Sequence, residues 1–287
     1  MYTKHFGLAQ YPFSLTPNTR FFLKLPGHQE TFNQLIRSLE NGDVLCEVSG
    51  EVGTGKTMLC RKVLNTLEFY PERYVTIFLP NPILNEEGTL QAIADELALS
   101  TEEQSTYRQL LKTVTSEIFR LASENKRIVL FIDEAQAIPD ESLKAIYLLT
   151  QIEAPNNRRL QVVLFGQPEL DSLLAQPGLH QLRDELSFHH KLAPLDRKEI
   201  QSYVDHRLRK AGYNGQQLFA DGALDLVFEA SKGTPRLVSI LCHKAMMVAY
   251  GKGLMTVSAD CVKAATDDTD ALTPKKSWAE RLFSRGD

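Results

Sequence analysis

The eight residues Gly50-Glu51-Val52-Gly53-Thr54-Gly55-Lys56-Thr57 constrain this chain more than any other stretch. They form a complete Gly-x-x-x-x-Gly-Lys-Thr loop set between an apolar run, Val44 to Ser49, and a segment whose apolar residues repeat at helical spacing. That repeat is Leu59, Cys60, Val63, Leu64 and Leu67. Strand, loop and helix in this order turn successive backbone N–H groups toward a phosphate. A Cβ at Gly53 or Gly55 would obstruct that approach. The helix that follows directs its positive end at the same anion. Lys56 supplies a mobile charge for the outer phosphates, and the Thr57 hydroxyl is placed to ligate Mg²⁺. The candidate nucleotide-binding set is therefore Gly50, Glu51, Val52, Gly53, Thr54, Gly55, Lys56, Thr57 and Met58.

Such a loop needs a large parallel sheet behind it, and 287 residues can supply one. With 43% apolar and 24% charged residues, the composition is that of a soluble globular protein. A net charge of −4 argues against a nucleic-acid coat protein while allowing local basic patches. No apolar signal segment follows Met1, and runs such as Ile128 to Ile132 are too short to span a bilayer. Cys46, Cys60, Cys242 and Cys261 form no Cys-x-x-Cys pair and read as small core hydrophobes in a reducing compartment. The expected location is the cytoplasm.

Residues 1–43 form an aromatic lead-in punctuated by Pro12, Pro17 and Pro26, in which a long regular helix is not expected. Phe6, Phe13, Phe21 and Phe22 need a surface to bury against. Residues 44–194 alternate strand and helix signals. Strands are expected at 44–49, 74–79, 128–132, 160–165 and 186–192, and helices at 88–99 and 107–122. A further, largely buried helix is capped by Asp140. This pattern predicts an α/β domain with a parallel five-stranded sheet flanked by helices. From Leu195 the strand signals stop, and Asp196 with Glu199 opens the first of four helices in a small all-helical domain, 195–267. Residues 268–287 make a polar tail. If helical, this tail stacks Trp278 with Leu282 and Ala279 with Phe283 between basic flanks, suited to an anionic membrane surface or a partner; the alternative is a disordered terminus whose Trp278 folds back on the helical domain.

Beyond the loop, Ile128 to Ile132 runs straight into Asp133-Glu134. At a strand tip beside a phosphate loop, Asp133 reaches the Mg²⁺ shell, and Glu134 suits a general base for the attacking water. Gln167, just past the strand 160–165, could bond the γ-phosphate or that water, or could be a turn residue before Pro168. Arg236 sits one residue after Pro235 in the first turn of a helix. A cation serves the helix dipole poorly there, so either a separate task or a salt bridge holds it.

Phosphate loop, Asp-Glu strand, polar strand end and Gly-x-Pro-Arg helix, in that order, resemble the AAA+ ATPases. Asp133-Glu134-Ala135-Gln136, Phe165-Gly166-Gln167-Pro168-Glu169-Leu170 and the opening His5-Phe6-Gly7-Leu8 are similar to the general-secretion-pathway ATPase group typified by the ExeA and GspA proteins. Within that group, a chain ending soon after the helical lid most resembles the ATPases of MSHA-type pilus biogenesis. The resemblance implies ATP and Mg²⁺ binding, hydrolysis, nucleotide-dependent homo-oligomers and work on pilus or secretion proteins at a bacterial inner membrane. It makes Gln167 and Arg236 the two sensors and places His28 near the base. Arg183 becomes the arginine finger, although Glu185 stands where relatives carry a second arginine. It also implies that the transmembrane and periplasmic parts of longer relatives are missing. The other reading is a DNA-transaction ATPase with a basic stripe drawn from Arg158-Arg159 and Arg207, Arg209, Lys210. A GTPase is disfavoured, because Asn125-Lys126-Arg127-Ile128 lacks the aspartate of a guanine-reading motif.

Overall fold

The computed structural model describes residues 2–16, 18–23, 25–101, 105–152 and 160–269. In chain order the elements begin with α1 (Tyr2–His5), α2 (Pro26–Asn41), β1 (Leu45–Gly50), α3 (Lys56–Leu67) and β2 (Tyr74–Leu79). There follow α4 (Glu86–Glu96), α5 (Tyr107–Ser123), β3 (Arg127–Ile132), α6 (Asp140–Thr150) and β4 (Gln161–Gly166). Next come α7 (Glu169–Leu174), α8 (His180–Asp184), β5 (Leu186–Leu192), α9 (Arg197–Lys210), α10 (Ala223–Ser231), α11 (Pro235–Gly251) and α12 (Ala259–Asp267). The chain divides into two compact units, one made of Lys24–Ala193 and the other of Met1–Leu23 with Pro194–Asp287. The expected lead-in is thus split between them.

In the α/β unit the five strands are all parallel, in the order β2-β3-β4-β1-β5. Strand alternation divides their side chains between two faces. Leu45, Ile77, Leu130, Ile132, Val162 and Leu164 share one apolar cluster with Leu90 and Ile93 of α4, Val114 and Ile118 of α5, and Ile146 and Leu149 of α6. On the other face α3, with Leu59, Cys60 and Val63 buried, packs against β1, β2 and β4. The sheet is the expected one. Two local expectations fail. A 16-residue helix, α2, occupies the lead-in, because Pro26 stands at its first position, where a missing N–H breaks no helical bond. Asp140 does not cap α6; Pro139 does, and Asp140 is the first helical residue.

The helical unit opens with α9. Asp196 accepts from the Glu199 amide at 2.8 Å and Glu199 accepts from the Asp196 amide at 2.9 Å, closing both sides of the expected cap. The N-terminal segment folds onto this unit. The Tyr2 hydroxyl and His243 Nδ1 are hydrogen-bonded at 2.8 Å, Ala9 N–H donates to Ala211 O at 2.8 Å, and Phe13 meets Phe219 edge-on. Arg207 is the hub. Its guanidinium, on a residue only 8% exposed, donates to Pro12 O at 2.8 Å, Ser14 O at 3.2 Å and the Tyr203 hydroxyl, and lies over the Phe21 ring. No helix among the described residues is long and apolar enough to cross a membrane.

Candidate functional site

The phosphate loop is shaped by two glycines and locked by its own side chains. Gly53 and Gly55 take φ of +83° and +103°, conformations that L residues rarely adopt. Gly50 lies so close to β5 that a Cβ would meet Leu192 O at 2.9 Å. Thr54, fully buried, donates its hydroxyl to Glu51 O at 2.8 Å. Lys56 is also buried, and its ammonium donates to Gly50 O at 2.7 Å and Glu51 O at 3.0 Å. Burial pulls the Lys56 pKa below its ordinary value, while Glu134, Asp133, Glu51 and Glu169 oppose the shift. From α2, buried His28 donates Nε2–H to Thr54 O at 2.9 Å, because a carbonyl can only accept.

The carboxylates come from the end of β3. Asp133 is buried, accepts from the Thr57 hydroxyl, and accepts the Glu134 amide at 3.1 Å. Burial raises its pKa, with the Thr57 and Glu134 hydrogen bonds and Lys56 pulling the other way. A buried carboxylate joined to a hydroxyl at the start of α3 is an all-oxygen pair that fits a hard cation such as Mg²⁺. Glu134 is exposed and takes the left-handed conformation, φ +53° and ψ +38°, on a non-glycine residue. Such backbone persists where its surroundings enforce it. The Glu134 backbone is tied by its N–H to Asp133 Oδ1 at 3.1 Å and by its carbonyl, which accepts from Ala137 N–H at 2.9 Å. Two glutamines hold its carboxylate. Gln136 Nε2 donates to Glu134 Oε2 at 2.8 Å, and Gln167 Nε2 reaches the same oxygen at 3.4 Å. The Gln167 amide in turn donates to Gln136 Oε1 at 2.9 Å.

Lys56, Thr57, Asp133, Glu134, Gln167 and His28 therefore meet around one loop. Gln136 belongs with them, and sequence reasoning assigned it no role; its only signal was its place in the Asp-Glu-Ala-Gln run. Val52 is 54% exposed at the loop tip. Arg183 is exposed on α8; burial and then Asp171 push the Glu47 carboxyl of β1 up to about 8, and the Arg183 charge only opposes that rise. Arg236 is exposed on α11 of the helical unit and makes no ion pair among the described residues. Arg207 does not belong to any basic stripe: it is buried and committed to the N-terminal segment. Arg158 and Arg159 lie outside the described residues, as do Trp278, Leu282 and Phe283 of the tail.

A parallel β2-β3-β4-β1-β5 sheet, with the phosphate loop after β1 and Asp-Glu after β3, is the AAA+ P-loop NTPase fold, followed by a helical region. Residues 39–174 match the family model of the AAA domain. The chain is similar to general secretion pathway protein A of Aeromonas hydrophila, 33% identical over 283 residues that make up 99% of this chain. It spans about half of that relative, 51% of its length. Among solved structures, it resembles the Aeropyrum pernix ORC2 protein in ADPNP-ADP complexes with a TM-score of 0.68 and 16% identity, covering 96% of this chain and 75% of that one. Drosophila ORC bound to DNA gives 0.68 at 20% identity, over 95% and 69% of the two chains. The Thermotoga maritima RuvB Holliday junction branch migration motor gives 0.56 at 18%, over 84% and 67%. At these identities the likeness is one of fold.

Proposed function

We propose that this protein binds ATP with Mg²⁺, hydrolyses it to ADP and phosphate, and uses the cycle in assembling a type IV pilus of the MSHA type or a secretion apparatus at a bacterial inner membrane. The observation that carries the catalytic part is Glu134, left-handed just past β3, with its carboxylate held by Gln136 and Gln167 beside Lys56 and Asp133. Lys56 and the loop amides bind the phosphates, and Thr57 with Asp133 would hold Mg²⁺, which neutralises charge on the outer phosphates. Glu134 takes the proton of the attacking water at a carboxylate oxygen, and Gln167 fixes the direction of that oxygen. His28 steadies the loop at Thr54 O near the base. Arg183 serves as a finger toward a neighbouring copy in a nucleotide-dependent homo-oligomer, and Arg236 as the second sensor. Similarity to general secretion pathway protein A supports the assembly role; in this reading the protein acts on the cytoplasmic side of the inner membrane. A DNA-transaction role has weaker support, since its stripe loses Arg207 to the core.

The test separates binding from chemistry. Lys56→Ala should lose binding of a fluorescent ATP analogue. Glu134→Gln should keep that binding while phosphate release falls by about a hundredfold or more. Hydrolysis at the unmodified rate in Glu134→Gln would remove Glu134 as the base.

A further inference from the structure

Glu47 is out of place by every rule that builds the α/β unit. Alternation along β1 puts it on the face of Leu45, which lies in the apolar cluster with Leu170, Leu174 and Leu182. A charged side chain is rarely fully buried there without a partner. Yet the Glu47 side chain is 2% exposed, and its Oε1 has no hydrogen-bond partner. The oxygen points at two other potential ligands. His189 of β5 is the strand partner of Glu47, and its Nε2 stands 3.8 Å from Oε1. Asp171 of α7 brings Oδ1 to 3.4 Å from the same nitrogen. The three donor atoms all lie within 4.8 Å of one another.

We propose that Glu47, Asp171 and His189 form a binding site for a divalent transition-metal ion of the zinc class. Three donors around one zinc at about 2.0–2.2 Å in tetrahedral geometry stand roughly 3.4 Å apart. The observed 3.4 and 3.8 Å separations fit that spacing with little movement. An imidazole nitrogen among two carboxylates selects zinc over Mg²⁺, which asks for an octahedral oxygen shell. The Asp171 and His189 side chains are 46% and 47% exposed, so the site opens to solvent on their side. That opening gives an entry path and a fourth position for water. Without an ion, burial and the neighbouring Asp171 push the Glu47 carboxyl up to about 8, Arg183 on α8 opposes that rise, and Ser49 Oγ lies 3.4 Å from His189 Nε2. Neither Arg183 nor Ser49 satisfies Oε1. A bound ion would, and it would tie α7, which follows Gln167, to β1, which carries the phosphate loop.

Zinc binding to the full chain, free of nucleotide and carrying Asp133→Asn to remove the oxygen pair of the phosphate loop, tests the site by equilibrium dialysis and thermal unfolding. One zinc per chain should bind, survive excess Mg²⁺ and raise the unfolding temperature. Glu47→Gln and His189→Ala should each weaken the binding by about tenfold or more. Glu47→Gln keeps the side-chain volume, and His189 is half exposed, so if one variant fails to fold the other still decides. Zinc stoichiometry and affinity unchanged by these substitutions, or no saturable binding in the parent chain, would overturn the assignment.

Discussion

Gly55 and Gly27 make a matched pair, both close to His28. At Gly55, φ is +103° and a Cβ would stand 3.2 Å from His28 Nε2; at Gly27, within α2, nothing lies within 4 Å. Gly55→Ala should therefore destabilise the protein by about 1–3 kcal/mol and abolish ATP binding. Gly27→Ala should be neutral or stabilising by up to about 1 kcal/mol, since alanine is the better helix former. Chemical denaturation with an ATP-binding assay on each variant checks both. The loop residues, Asp133 and Glu134 were legible in the sequence because their spacing is dictated by a phosphate and a strand tip. The bridge through Gln136 was not, since a glutamine in a turn has no period and its partner Gln167 follows a different strand. Glu47 is visible in the sequence as a lone carboxylate inside an apolar strand, a placement that calls for a partner.

Among the elements, α9 shows how far a helical pattern can be read. Its start was written in Asp196 and Glu199, and its apolar stripe in Ile200, Tyr203, Val204 and Leu208. The inward turn of Arg207 was not written, because the basic run around it reads as a solvated face. What buries Arg207 is a segment 195 residues away in sequence, whose carbonyls at Pro12 and Ser14 need donors. Arg207→Met keeps much of the volume and leaves both carbonyls unpaired. It should cost about 3 kcal/mol or more in stability. Hydrogen exchange should accelerate first around Phe13 and α9, while the α/β unit keeps its protection. The α2 helix teaches the complementary point: a proline forbids a helix before it far more than after it.

At the scale of the molecule, Arg183 sits exposed on α8. If it serves a neighbouring copy, Arg183→Ala alone should bind ATP but hydrolyse it roughly a thousandfold more slowly. Mixed with Glu134→Gln chains, it should regain activity, since each chain supplies what the other lacks. Phosphate release across mixing ratios, in complexes shown to hold both chains, is the measurement. No recovery would remove Arg183 as the finger. The five strands and the longer helices after Gly50 were readable from hydrophobic period, but α2, the short α7 and α8, and the company kept by residues 1–23 were not. Aromatic residues announce that they need burial without naming the surface.

That company has a consequence for how the protein is made. Tyr2, Phe6 and Phe13 are buried only once α9, α11 and the turn at Phe219 exist, and the whole of Lys24–Ala193 is translated in between. At about 5–20 residues per second, the first aromatic residues wait on the order of ten seconds or more outside the ribosome. The α/β unit can fold as it emerges, while the apolar N-terminal segment of the helical unit stays uncovered. Nascent chains stalled after Ala193 should be the form that holdase chaperones grip most firmly.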